Sequence, residues 1–291
     1  MIHDFARKAE KIINLLPPIP VVMTELIEAL DDENVEINTL ARIISKDPLM
    51  SMNVLKVANS AFYKLPRKVS TVDHAVKMLG FTEITMICVA CGAYQTLVPP
   101  PNTETLDLDE FWRHSVGTGV VGKRLCHELE ILDHNVVYFI GLLHDVGKVI
   151  LDRYAHDLYK LAVKVTQEKH IPLCEAEKRL IGESHDQVGG WVMEKWSLPW
   201  MFVDATRYHH NVWASPEDRK AAIAIVALAD QLASTQDSGS NDSLNSIKGS
   251  DAYKALEQTI PGAGNIDFSK FLRELETVNE EIDEMDQILR A

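Results

Sequence analysis

Apolar residues recur at helical spacing along nearly the whole chain, and strand-like alternation is almost absent. Val22, Leu26, Ile27 and Leu30 share one helix face. Leu40, Ile43 and Ile44 mark a second helix, which Asp47-Pro48 should end because a residue before proline disfavours the α region. Leu49, Met52, Leu55, Val57 and Ala58 continue on a new axis; Val69 to Leu79 and Ile84 to Val98 follow, with Gly80 as a C-cap between them. From Leu108 onward longer patterns dominate, over roughly 108–130, 134–151, 153–169, 173–181, 184–195, 199–209 and 217–233. The pattern predicts an all-α fold with two closely packed helical lobes.

Punctuation divides the chain. Pro17-Pro18-Ile19-Pro20 is rigid and extended. Pro99-Pro100-Pro101 followed by Asn102-Thr103-Glu104-Thr105 cannot continue a helix and is the clearest boundary. The expected lobes are therefore residues 1–101 and 102–233. Residues 234–250, from Ser234 to Ser250, are polar and low in complexity and read as a flexible loop. Residues 251–291 read as an amphipathic helical extension, in which Phe271, Leu275, Val278, Ile282, Met285 and Leu289 form a heptad seam. Such a helix either packs on its own chain or pairs with a partner. Glu274, Glu281 and Glu284 would repel one another in a symmetric pair, which favours self-packing and leaves the oligomeric state open.

Composition excludes several classes of function. A chain of 291 residues, 46% hydrophobic and 25% charged, can bury a core without disulfides or metal. Its net charge is −14, and the charge is uneven: the first hundred residues carry 10 Lys and Arg against 11 Asp and Glu, the remainder 19 against 32. An acidic surface gains no counterion release from a phosphate backbone, so duplex nucleic acid is a poor partner. A small anionic ligand stays open, because a bound cation inverts the local field. Ile84 to Val98 is uncharged but broken by Thr85, Gly92, Gln95 and Thr96, so no membrane span is expected. The start, MIHDFARKAE, carries Asp4 and Glu10 and no apolar stretch, so no secretory signal is expected. Four cysteines make no disulfide framework, and a cytoplasmic location is expected. Cys88 and Cys91 lie in an apolar helical segment and read as buried thiols.

The residues able to do chemistry sit where apolar patterning says they should not. His144 and Asp145 lie in Gly141-Leu142-Leu143-His144-Asp145-Val146-Gly147-Lys148, flanked by Val136, Val137, Phe139 and Ile140 before and Val149, Ile150 and Leu151 after. A buried carboxylate is costly unless paired or metal-bound. An imidazole beside a hard oxygen suits a divalent cation, and it equally makes a core salt link. Glu110 and His114, at i and i+4, share a helix face. His185 opens a helical pattern, His209 and His210 close one, and Asp230 ends the apolar run that starts at Ala221. Each alone is more often structural or exposed; five helical segments offering His or carboxylate at apolar junctions point to a shared ion. Lys148, at i+4 from His144, either reaches a substrate phosphate or snorkels to solvent.

Residues 108–233 resemble the HD superfamily of metal-dependent phosphohydrolases, whose His, His-Asp and distal Asp correspond to His114, His144-Asp145 and Asp230. Leu16-Pro17-Pro18-Ile19-Pro20, Ile44-Ser45-Lys46-Asp47-Pro48, Leu55 to Tyr63, Ala75 to Gly80, Phe111 to Ser115 and Trp196-Ser197-Leu198-Pro199 narrow the resemblance to the HDOD (HD-related output domain) family. It covers about residues 12–233. It implies an HD-type helical bundle in the C-terminal lobe and a bacterial signalling context, in which many members are degenerate HD domains acting as regulatory modules. This chain keeps Glu110, His114, His144, Asp145, His185, His209, His210 and Asp230, a set similar to the bimetal site of the HD-GYP phosphodiesterases. It departs from them after His210, where Asn211-Val212-Trp213-Ala214-Ser215-Pro216 stands in place of an acidic residue and a Gly-Tyr-Pro loop.

The resulting expectation is a signal-transduction module with a retained metal site and weak or no hydrolase activity. The alternative is an active metal-dependent phosphohydrolase on a nucleotide or cyclic nucleotide. Asp145 and Lys148 are the expected catalytic residues. One or two divalent ions are expected, with a mixed ligand set that suits iron, manganese, zinc or nickel. The expected partner is a signalling protein or a small phosphate-containing ligand.

Overall fold

The computed structural model describes residue 14 and residues 18–30, 37–60, 62–63, 65–97, 105–131, 134–234, 246–269, 271, 283–285 and 287. Among these residues the fold is all-α, with no strand. It divides into two compact units, Pro18–Thr96 and Leu97–Ser269, with Phe271 and Met285 grouped with the first. The Pro99-Pro100-Pro101 step, residues 235–245 of the polar loop, and Leu275, Val278, Ile282 and Leu289 of the heptad seam lie outside the described residues.

The first unit contains α1 (Val21–Leu30), α2 (Ile37–Ile44), α3 (Pro48–Ala58), α4 (Val72–Leu79) and α5 (Phe81–Leu97). The break expected at Asp47-Pro48 is a capped helix start. The Asp47 carboxylate accepts the N–H groups of Leu49 at 2.9 Å and Met50 at 3.1 Å, and Pro48, lacking an N–H, fits the first turn. Asn59 closes α3 and staples the following connection: its amide donates to Leu55 O and Val69 O and accepts Val69 N–H at 2.7 Å. Cys88 and Cys91 are buried free thiols of α5, and burial pushes the Cys91 pKa up to about 12, so the pair is core.

The second unit contains α6 (Leu108–Glu128), α7 (His134–Leu143), α8 (Val146–Tyr154), α9 (His156–Lys169), α10 (Leu173–Leu180), α11 (His185–Lys195), α12 (Trp200–Tyr208), α13 (Lys220–Ser234) and α14 (Asp251–Thr259). α6 is its axis and packs on α7 and α13, while α11 packs on α8 and α12. The α6–α7 contact is backbone against backbone: a Cβ at Gly141 would lie 2.7 Å from the Gly119 Cα. α14 packs on α13, so residues 251–259 belong to this unit. Among the described residues no helix is long and apolar enough to cross a membrane.

One expected helix, 134–151, is two. α7 stops at Leu143, the chain turns at His144-Asp145, and α8 starts at Val146. The His144 ring takes the carbonyl of Gly141 through Nδ1–H at 2.6 Å. That is the carbonyl a continuing helix would offer to the N–H of residue 145. Asp145, at φ −102° and ψ 7°, leaves the helical path, and its own carbonyl begins the new turn by accepting Lys148 N–H at 2.9 Å.

Candidate metal centre

The α7–α8 break places two ionisable side chains at a junction that other helices approach. The closest approach is α11: a Cβ at Gly147 would lie 1.9 Å from the His185 carbonyl oxygen, so only glycine admits the start of α11 here. His185 therefore arrives beside Asp145 at the first turn of α11. α12 delivers His209 and His210 at its C-terminal end, α6 delivers His114 from its second turn, and α13 delivers Asp230.

Two groups of ligand-type atoms result, each lying within 4.8 Å of one another: His114, His144, Asp145 and Asp230; and Asp145, His185, His209 and His210. Asp145 belongs to both. Its Oδ2 is 3.4 Å from His144 Nε2 and 3.8 Å from His114 Nε2, whereas its Oδ1 is 3.4 Å from His185 Nε2 and 3.6 Å from His209 Nε2. Asp230 Oδ1 completes the first group, 3.0 Å from His114 Nε2 and 3.6 Å from His144 Nε2. Ligands bonded at ~2.0–2.2 Å to one ion stand roughly 3–4 Å apart, which is the spacing found.

The imidazoles are oriented as donors of lone pairs. A carbonyl oxygen only accepts, so the bonds from His144 Nδ1 to Gly141 O and from His209 Nδ1 to Thr206 O, at 2.6 and 2.7 Å, put the ring proton on Nδ1 in both. His185 Nδ1 is 2.7 Å from the Glu177 carboxylate and is fixed in the same way. Each Nε2 then turns a lone pair toward Asp145. His144 Nε2, His209 Nε2 and Asp145 Oδ1 are buried with no hydrogen-bond partner among the described residues. His185 Nε2 and His210 Nε2 face each other at 2.9 Å. Acceptors converging in a buried space are costly unless a cation or a proton occupies the space between them. The residues present fit a divalent ion in each group.

Electrostatics agree. Burial pulls the His144 pKa down, but the neighbouring Asp145 and Asp230 carboxylates outweigh it and raise it to about 10. Burial works against ionised Asp145 and Asp230 as well, yet His144 and Lys148 hold Asp145, and His114 and His144 hold Asp230, well below the usual carboxylate range. Burial, with His209 and His185 adding repulsion, holds His210 well below its ordinary value, although the residue as a whole is exposed. The field of the first group thus draws positive charge, and a proton supplies it where no metal does.

Seven of the eight residues expected to hold metal are brought together. Glu110 is not: it is exposed in the first turn of α6, where its N–H is tied to the capping carboxylate of Asp107, and it joins neither group. Sharing a helix face with His114 does not bring it to the junction. Lys148 is ion-paired with Asp145 Oδ2 and its side chain is 21% exposed, so its ammonium stands at the site and not in open solvent. Val212 after the histidine pair is buried, and the turn Val212–Ala214 packs on α13 and α14. Glu177 was invisible in the sequence, where it stands among Glu175, Lys178 and Arg179 on a short polar helix. Only its spacing of eight residues from His185 hints at contact.

Against known protein families, residues 16–212 match the HDOD domain, a span that includes every histidine of the two groups and ends before Asp230. An uncharacterized protein of Treponema pallidum is 26% identical over 222 residues, which is 75% of this chain and 42% of that protein, so this chain spans less than half of its relative. Among solved structures, an HDOD domain protein of unknown function from Geobacter sulfurreducens aligns with a TM-score of 0.79, 24% identity and 99% coverage of both chains. A candidate phosphohydrolase from Shewanella amazonensis aligns with a TM-score of 0.77, 21% identity, and 97% and 98% coverage. At these identities the two structures establish a common fold. With the family match spanning most of its length, the chain belongs to the HDOD domain family.

Proposed function

We propose that this chain is a signal-transduction module that keeps an HD-type metal site with weak or no hydrolase activity. The observation that carries the reading is the placement of Asp145, which is buried and turns one carboxylate oxygen to each of two histidine groups. A divalent ion held by His114, His144, Asp145 and Asp230, or by Asp145, His185, His209 and His210, would polarise a phosphate oxygen and acidify a nearby water. Asp145 would serve both positions. Lys148, paired with Asp145, would hold that carboxylate ionised and in place, which commits its ammonium to the site and away from an incoming phosphate.

Metal ligands alone do not make an enzyme, because the reacting phosphorus must also be held about 3–3.5 Å from the activated water. The stiff Val212-Trp213 turn after His210 offers no glycine for close backbone approach to a cyclic dinucleotide. This favours a regulatory role, with a signalling protein or a small phosphate-containing ligand as the partner. The second reading, an active phosphohydrolase on a nucleotide or cyclic nucleotide, draws support from the retained site and from the fold shared with the Shewanella candidate phosphohydrolase. A phosphodiesterase panel with added manganese separates the two. Cyclic di-GMP turnover should be undetectable, with at most slow cleavage of a small generic phosphoester. Turnover on the order of 1 s⁻¹ or faster, abolished by Asp145→Ala, would establish the enzyme instead.

A further inference from the structure

Glu177 lies on α10, which supplies no atom to either ligand group, and it is fully buried. Its Oε2 accepts two hydrogen bonds, both from His185: the backbone N–H at 2.9 Å and the ring Nδ1–H at 2.7 Å. Its Oε1 has no hydrogen-bond partner, and His185 is its one ion-pair partner among the described residues. A buried carboxylate carries a large desolvation cost, and among the described residues no lysine or arginine forms an ion pair with Glu177, although Lys148 attracts it at longer range. The contrast with the other rings is informative. His144 and His209 give their Nδ1–H to the backbone carbonyls of Gly141 and Thr206, whereas His185 gives its Nδ1–H to a side-chain carboxyl group.

We propose that Glu177 is a positioning residue for metal binding, fixing the tautomer and aim of His185 and so setting the cation affinity of the Asp145–His185–His209–His210 group alone. This rests on the metal-site reading above. The bond to the His185 backbone anchors the carboxylate to the first turn of α11, and the bond to Nδ1–H locks the ring, so Nε2 faces the ligand group, 2.9 Å from His210 Nε2 and 3.4 Å from Asp145 Oδ1. A carboxylate acceptor also makes the imidazole a stronger donor than a carbonyl acceptor does. The competing explanation makes Glu177 only a side-chain cap for α11. That role needs only an acceptor oxygen, which Glu177→Gln keeps, so it would leave the cation affinity of that variant unchanged.

The test is a cobalt(II) titration of the full chain, followed by visible absorption, with far-ultraviolet circular dichroism as the folding control. Wild type should bind two ions. Glu177→Gln keeps an acceptor oxygen and the side-chain shape but removes the charge; it should weaken one binding event by about 10–100-fold and leave the other unchanged. His185→Gln should lose the same event, and the double variant should lose no more than His185→Gln does. A Glu177→Gln protein that binds both ions as wild type does, or that weakens both equally, overturns the proposal while the metal reading stands. Wild type that takes up no cobalt overturns both. Should the variant fail to fold, nitrogen-15 spectra of the zinc-loaded wild type decide: a protonated Nδ1 on His185 supports the proposal, and a protonated Nε2 overturns it.

Discussion

Asp145 belongs to both groups of ligand-type atoms, and burial opposes its charge. Asp145→Asn should therefore weaken metal binding at both positions by at least about tenfold while leaving the helices intact, since a removed ligand costs more than the ~10–100-fold of a removed supporting residue; a metal titration beside circular dichroism checks this. The charge around His144 makes a second prediction. With its pKa raised to about 10, His144 carries a proton in metal-free protein at pH 7, and binding must displace it. Metal uptake should release at least about one proton, and affinity should rise about tenfold per pH unit for each proton displaced, up to the raised pKa. Calorimetry in buffers of different ionisation enthalpy measures the release directly. The stability of the metal-free chain should follow the same group: a raised pKa contributes stability fully present below the ordinary 6.5 and lost as pH rises through about 10. At this scale the sequence made legible the seven residues that meet in the two groups, because charged groups inside apolar runs need a reason to be there. It hid Glu177, whose neighbours are as polar as it is, and it put Glu110 in the set because helical spacing records a shared face and not the distance to a junction.

The element that makes the site is the break between α7 and α8. Apolar periodicity ran unbroken through 134–151, since it registers which face is buried and cannot register that the His144 side chain takes a backbone carbonyl from the helix. Two later helices were legible almost to the residue, 173–181 and 184–195 against Leu173–Leu180 and His185–Lys195, because the pattern is bounded there by proline and by polar caps. The break works only with a glycine after it. Gly147→Ala would set a methyl group 1.9 Å from the His185 carbonyl and must push α11 away. The variant should lose about 1–3 kcal/mol, the usual cost of overpacking, together with affinity at the group containing His185; denaturant unfolding and metal titration measure the two losses. At the C-terminus, Phe271 and Met285 are the two described residues of the seam, and both are buried. Deleting residues 268–291 should expose apolar surface and lower the melting temperature. A truncated chain as stable as the parent but newly monomeric would mark the seam as a dimer contact.

For the whole molecule, the acidic charge is read from composition and the all-helical fold from period, and the described residues are all-α. What composition could not reveal is how the chain's histidines are deployed: His114, His144, His185, His209 and His210 meet around one shared aspartate, in one of the two units. A regulatory domain that had abandoned metal would have no use for three imidazoles held with their lone pairs inward, nor for two carboxylates kept ionised in a buried place. The proposal that this constellation holds a divalent cation is decided by elemental analysis of the purified, desalted chain beside its Asp145→Ala variant. One to two equivalents of a transition metal per wild-type chain are expected, with a clear loss in the variant and unchanged helical content. Wild-type protein that carries no metal as purified, and takes up none from excess manganese, iron, zinc or nickel, would contradict it.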